Sequence, residues 1–178
     1  MRRILTPLIL LWLSGCADLP SGEHRFSVLA GEKAEQRSWS IKGLASHGRI
    51  NFTGVMREEA TESKVSHLKL TFGDRDVYGP PATVTLHDPG CEGAYSVRIA
   101  HRTQENVEER SFPRNKLPWG KPLVMQAEWW PDGRLVIDIK DIGRSTVMLN
   151  GKVENFTVSV WTGGIEVDNL QYENLVAK

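Results

Sequence analysis

Seven stretches of this chain alternate polar and apolar side chains: residues 49–55, 66–72, 82–87, 95–100, 135–140, 156–161 and 165–170. A period of two is the repeat of an extended strand, whose successive side chains face opposite ways. Val, Ile, Thr and Phe fill these runs, and such residues fit a pleated, half-buried surface. A helix needs a period near 3.6. The best helical stretch, 57–66, carries Glu58, Glu59, Glu62 and Lys64 without an apolar face, so a solvated loop or edge hairpin fits it equally well. Turn residues punctuate the runs. Asp74-Arg75-Asp76, Gly79-Pro80-Pro81, Asp88-Pro89-Gly90 and Pro131-Asp132-Gly133 combine the fixed φ of Pro, the self-bonding Asp side chain and the freedom of Gly. Residues 129–135 form the clearest hairpin signal, and Asn150-Gly151 is a second. About ten to twelve strands without helical alternation predict an all-β protein, a two-sheet antiparallel sandwich or jelly roll.

The chain has 178 residues, 40% apolar and 25% charged, which suits one globular domain. Its 22 basic residues balance 22 acidic ones, which argues against a nucleic-acid partner. The Lys and Arg residues are dispersed, so no groove for an anionic polymer can be read off the sequence. Two cysteines cannot build a disulfide framework.

The first residues read MRRILTPLILLWLSGCADLP. Arg2 and Arg3 precede a short apolar core, 4–13, too short to cross a bilayer as a permanent span. Leu13-Ser14-Gly15-Cys16 then resembles the lipobox of bacterial lipoproteins. The resemblance implies a signal peptide at 1–15, an acylated Cys16, a tether at 16–23 and a β-sandwich domain at 24–178. Several acyl chains on one cysteine hold a domain stably to a membrane surface. Ala17, rather than Asp, follows Cys16, and the resemblance then favours the outer membrane, on its periplasmic face or at the cell surface. The alternative is a plain signal peptide with Cys16 incidental. Cys91 would be the remaining thiol, most simply a buried small apolar residue.

The last third carries a second resemblance. A tryptophan pair, an Asp-Gly turn, a Leu strand and a Gly-Gly-led closing strand with Asp-Asn-Leu run from Lys121 to Tyr172. Trp130, Asp132, Gly133, Leu135, Gly164, Asp168, Asn169 and Leu170 hold those places. This resembles the concanavalin A-like lectin/glucanase jelly rolls, including laminin-G-like domains. That class hosts lectins, hydrolases, lyases and adhesion modules, so the resemblance implies a fold and leaves the chemistry open.

Three constellations could carry chemistry. Glu166 and Asp168 are two apart on a strand, which puts their Cα atoms about 6.6 Å apart on one face. That spacing is compatible with the carboxylate separations glycosidases use. The glucanase members resemble E-x-D-x-E, which this chain lacks, so a structural or solvated role is favoured. Glu128 lies beside Trp129 and Trp130, and a carboxyl against an indole could be raised into a general acid. Alternation sends Trp129 and Trp130 to opposite faces, one to the core. An exposed Trp130, or Trp119, would suit stacking on a sugar ring. Asp74 with Asp76, or Asp138 with Asp141, offers oxygen ligands of the kind Ca²⁺ takes, without a complete set. The five histidines lack zinc-site spacing, and His67 and His87 read as surface residues.

The expected function is therefore binding of a glycan or an envelope protein by an anchored, non-catalytic domain. A glycoside-active enzyme and a structural subunit of an envelope assembly are the alternatives. The anchor is directly testable. In a bacterial host fed an alkyne fatty acid, the chain is expected to carry label and fractionate with membranes. The Cys16→Ser form is expected to lose the label.

Overall fold

A computed structural model describes residues 23–30, 36–57, 67–73, 82–88, 93–103 and 106–176. Among them are thirteen strands. They are β1 (Glu23–Leu29), β2 (Gln36–Lys42), β3 (Gly48–Met56), β4 (His67–Phe72), β5 (Ala82–His87), β6 (Ala94–Arg102) and β7 (Val107–Ser111). The rest are β8 (Leu117–Pro118), β9 (Leu123–Trp129), β10 (Arg134–Ile139), β11 (Gly143–Met148), β12 (Asn155–Trp161) and β13 (Gly164–Asn174).

They form two antiparallel sheets. The six-stranded sheet has the order β1-β13-β3-β9-β10-β11. The seven-stranded sheet has the order β2-β12-β4-β5-β6-β7, with the short β8 beside β6. Each of the seven alternating stretches coincides with a strand among the described residues, β10 ending one residue early at Ile139, and the fold is the sandwich that the alternation predicts. The periodicity is visible in the burial: β3 alternates buried and half-buried residues along its whole length, and β4 does the same. The inward faces of both sheets meet in one core containing Ile50, Phe52, Leu68, Leu70, Phe72, Phe156, Val158 and Leu170. Phe52 and Phe72 both contact the ring of Phe156, at centroid distances of 6.3 and 5.1 Å, joining the sheets.

The Pro131-Asp132-Gly133 turn joins β9 to β10 as expected. The backbone N–H of Arg134 donates to Asp132 Oδ1 at 3.0 Å, and Gly133 has φ +87°. An added Cβ there would lie 2.9 Å from the Leu149 carbonyl oxygen, so glycine is required twice over. Asn150-Gly151 is a different case. It lies between β11 and β12, which belong to opposite sheets, so it is part of a crossover and not a hairpin. A turn dipeptide reverses the chain locally but does not say which sheet receives the next strand. The proposed lipidation cysteine Cys16, the segment 58–66, Asp74, Asp76 and Cys91 lie outside the described residues.

One clamp ties the core to the outer surface. Trp129 is buried, and its indole N–H donates to the Ala45 carbonyl at 2.8 Å. The Ala45 N–H donates to the Tyr172 hydroxyl at 2.7 Å, and the Trp129 and Tyr172 rings lie parallel at 6.2 Å. Gly48 fits beneath them, since an added Cβ would come within 2.5 Å of the Trp129 ring. A Gly48→Ala variant is therefore expected to lose about 1–3 kcal/mol of stability by overpacking. Urea unfolding followed by tryptophan fluorescence measures it.

Candidate functional site

The clamp holds residues 45–48 in place, and His47 emerges from them onto the outer face of the six-stranded sheet. Alternation along β3, β9 and β10 sends Arg49, Asn51, Gln126, Glu128, Val136 and Asp138 to the same side, opposite the core residues Ile50, Ala127 and Ile137. Cross-strand register then sets their neighbours. Arg49 pairs with Glu128, Asn51 with Gln126, and Asp138 with Gln126 on the other side.

These side chains form a continuous polar network. Glu128 accepts from Arg49 Nη2 at 2.9 Å and Nε at 3.2 Å, and its other oxygen lies 3.2 Å from His47 Nε2. Arg49 Nη1 reaches Glu173 on β13 at 3.4 Å. Asn51 donates to the same carboxylate at 3.3 Å and accepts from Gln126 at 2.9 Å. Burial alone would push the Glu128 carboxyl up, but its hydrogen bonds from Arg49 and His47 and their nearby charge hold it below the usual carboxylate range. The expectation of a raised, acid-donating Glu128 is corrected by this: the neighbour that decides its charge is Arg49, not an indole. Arg49 is held charged in turn, chiefly through its bond to Glu128.

Trp130 is half-buried at the end of β9. β3 and β10 flank β9, and the residues beside Trp130 are His47 and Arg134. The His47 ring stacks on it at 5.5 Å, and the Arg134 guanidinium lies 4.0 Å from its ring centroid. A saccharide meeting Trp130 must share it with Arg134, a cation–π contact worth about 0.5–1 kcal/mol at an exposed site. Trp119 lies elsewhere, partly buried against the core, and among the described residues its indole N–H has no acceptor.

Two depressions occupy this face. A cleft of about 80 Å³ is lined by Gln126, Glu128, Trp130, Val136, Asp138 and Arg144. A groove of about 370 Å³ continues along the strands between Asn51, Thr53, Val124, Gln126, Asp138 and Lys140. Gln126 and Asp138 border both. The larger volume is at the small end of the range for ligand sites.

Glu166 and Asp168 take no part. Glu166 pairs with Arg57. Asp168 is exposed at a bulge, where the register of β13 against β3 shifts between Val167 and Asn169. Neither lines the groove or the cleft. Among the described residues no group of three or more His, Cys, Asp or Glu side chains is placed to hold a metal. His67 and His87 are not simple surface residues. They lie half-buried on adjacent strands with 2.5 Å between their nitrogens.

No family model and no curated protein matches the chain. Solved structures do. A toad ovary galectin in complex with N-acetylgalactose superposes with a TM-score of 0.52 at 8% identity, over 76% of this chain and 97% of that one. A Klebsiella pneumoniae alginate lyase gives 0.54 at 9% identity, over 74% of this chain and 61% of the lyase. A sialidase gives 0.59 at 8% identity, over 84% of this chain, which spans only 15% of that protein. At these identities the likeness is one of fold, a lectin-like jelly-roll sandwich.

The Glu128 network predicts a pH dependence. A carboxyl held below its unfolded pKa stabilises the fold above that unfolded value, and the contribution is lost as pH falls through the folded value. Wild type is expected to be more stable than Glu128→Gln at pH 7, with the difference shrinking below about pH 4. Urea unfolding of both proteins across that range measures it.

Proposed function

We propose that this chain is an outer-membrane lipoprotein, anchored through Cys16, whose β-sandwich is a non-catalytic carbohydrate-binding domain. The observation that carries the binding reading is the groove on the six-stranded sheet. It joins amide and carboxylate groups, from Asn51, Gln126 and Asp138, to apolar surface from Val124, and the adjoining cleft adds Val136. Sugars present hydroxyls and C–H surfaces together, and a site of this mixed composition answers both. Asn51 and Gln126 are oriented before any ligand arrives, by their mutual hydrogen bond and the one to Glu173. Pre-ordered polar groups lower the entropic cost of binding.

The galectin and the two carbohydrate-named enzymes of similar fold support a saccharide ligand. A glycoside-active enzyme is less well supported, because the Glu128 carboxyl is held charged by Arg49 and His47 and is not available as a general acid. Arg49, the cation at the centre of the network, is already engaged by the Glu128 and Glu173 carboxylates, which favours a neutral saccharide over an acidic one.

A glycan and peptidoglycan array probed with purified residues 17–178, which carry all thirteen strands, tests the reading. Binding to neutral glycans is expected, weakened at least tenfold by Gln126→Ala or Asp138→Ala and reduced by Trp130→Ala. Absence of binding to every glycan would overturn it and favour a protein partner within the envelope.

A further inference from the structure

One pair of side chains on the seven-stranded sheet lies outside both the core and the groove. His67 opens β4 and His87 closes β5, and the two stand directly opposite each other in the register of these antiparallel strands. Opposed side chains on adjacent strands have Cβ atoms about 4.5–5.5 Å apart, close enough for two imidazoles to meet. Here they meet nitrogen to nitrogen: His87 Nδ1 lies 2.5 Å from His67 Nε2. The ring centroids are 4.3 Å apart, with 33° between the ring planes.

The core fixes this arrangement from beneath. Leu68 and Leu86, the next pair in the same register, are fully buried. They anchor both backbones one residue away from the histidines and leave the two rings half-buried on the outer face. Along the row, register places Trp161 beside His67 on one side and Ser96 beside His87 on the other. Neither of these neighbours carries a charge. The histidines are 20 positions apart in the chain, so strand pairing makes the cluster and no short spacing motif announces it.

Two neutral imidazoles in contact share one proton in an N–H···N hydrogen bond, or turn both lone pairs on one cation. Neutral imidazole is the commonest metal ligand, and it suits zinc, copper and nickel. A metal–nitrogen distance of about 2.0–2.1 Å and an angle of about 90–110° at the metal set the two nitrogens about 2.9–3.4 Å apart. From 2.5 Å the rings have to part by less than about 1 Å, a small side-chain rotation at two strand ends. Each ring ligates through one nitrogen and keeps the other for a second partner, as metal-bound histidines do.

We infer that His67 and His87 together form a site for a divalent transition ion of the imidazole-preferring class, Zn²⁺, Ni²⁺ or Cu²⁺. As the ion enters, the proton between the rings moves through water to the other nitrogen of the ring that carries it. Both imidazoles stay neutral. Two protein nitrogens hold the ion and water completes its shell, so it exchanges with the solvent from the outer face of the sheet.

Calorimetry of residues 17–178 with Zn²⁺ tests the inference, in a Cys91→Ser background where no thiol competes. Zn²⁺ is expected to bind, and Mg²⁺, which takes oxygen ligands, is expected not to. His67→Gln and His87→Gln are each expected to weaken Zn²⁺ binding at least tenfold. His101→Gln and Gln126→Ala, which leave the pair intact, are expected to leave it unchanged. Nitrogen NMR of the histidine rings, with the pair intact, gives a second readout. Zn²⁺ is expected to shift His67 Nε2 and His87 Nδ1 and to leave His24, His47 and His101 in place. No Zn²⁺ binding, binding unaffected by the His67 and His87 substitutions, or ring shifts confined to the other histidines would overturn the proposal. The saccharide reading of the six-stranded face stands or falls separately, through Gln126 and Asp138.

Discussion

Burial of alternate side chains between two sheets is the constraint from which the rest of this molecule follows. Each strand gives one set of residues to a shared core and is left with the other set on the outside. Because sheet order differs from chain order, those outer residues meet partners far away in sequence. Arg49 finds Glu128 and Glu173, and Lys69 finds Ser159 and Thr85. The core thus decides which polar groups stand side by side, although it touches none of them.

The clamp at Trp129 shows how tightly face and core are coupled. One buried indole fixes Ala45, and Tyr172 fixes the same residue from its other side. His47 is carried two residues further on, against both Glu128 and Trp130. The polar network is consequently built on strands and on a pinned loop, where side chains hold their positions better than on a free one. The two sheets then diverge in chemistry. One outer face is a hydrogen-bonded net of Arg, His, Asn, Gln and Glu. The other gathers hydroxyls, imidazoles and cations on five successive strands, with Glu109 of the sixth, β7, beside Arg98.

The fold was legible because alternation is a local signal: 82–87 and 135–140 can be recognised as strands without knowing their neighbours. β1, β2 and β7 carry no such clear pattern, and they lie at sheet edges, where burial is one-sided or slight. The site was legible only in fragments. Glu128 and Trp130 drew notice because they are adjacent in sequence to an indole pair. Arg49, Asn51, Gln126 and Glu173 did not, because nothing in 49–51 announces a contact with 126–128 or 173. The same limit explains Glu128 itself: its ionisation depends on Arg49, which lies 79 positions away in the chain. The dispersed basic residues offered no groove in the sequence for the same reason, since register alone assembles Lys69 and Arg98 on one surface. Asp168 illustrates a different limit, as a bulge takes its strand out of the regular spacing assumed for Glu166 and Asp168.

The account's central claim is that the outer face of the six-stranded sheet is the saccharide site. Trp130 stands beside that site, and Trp161 stands at the end of a strand in the other sheet. Fluorine NMR of the 5-fluorotryptophan-labelled protein reads both in one spectrum, with the core residue Trp129 as an internal control. The account predicts that a neutral oligosaccharide selected on the array moves the Trp130 signal, and that Trp161 and Trp129 stay still. Movement of Trp161 in place of Trp130, or of neither, would contradict it.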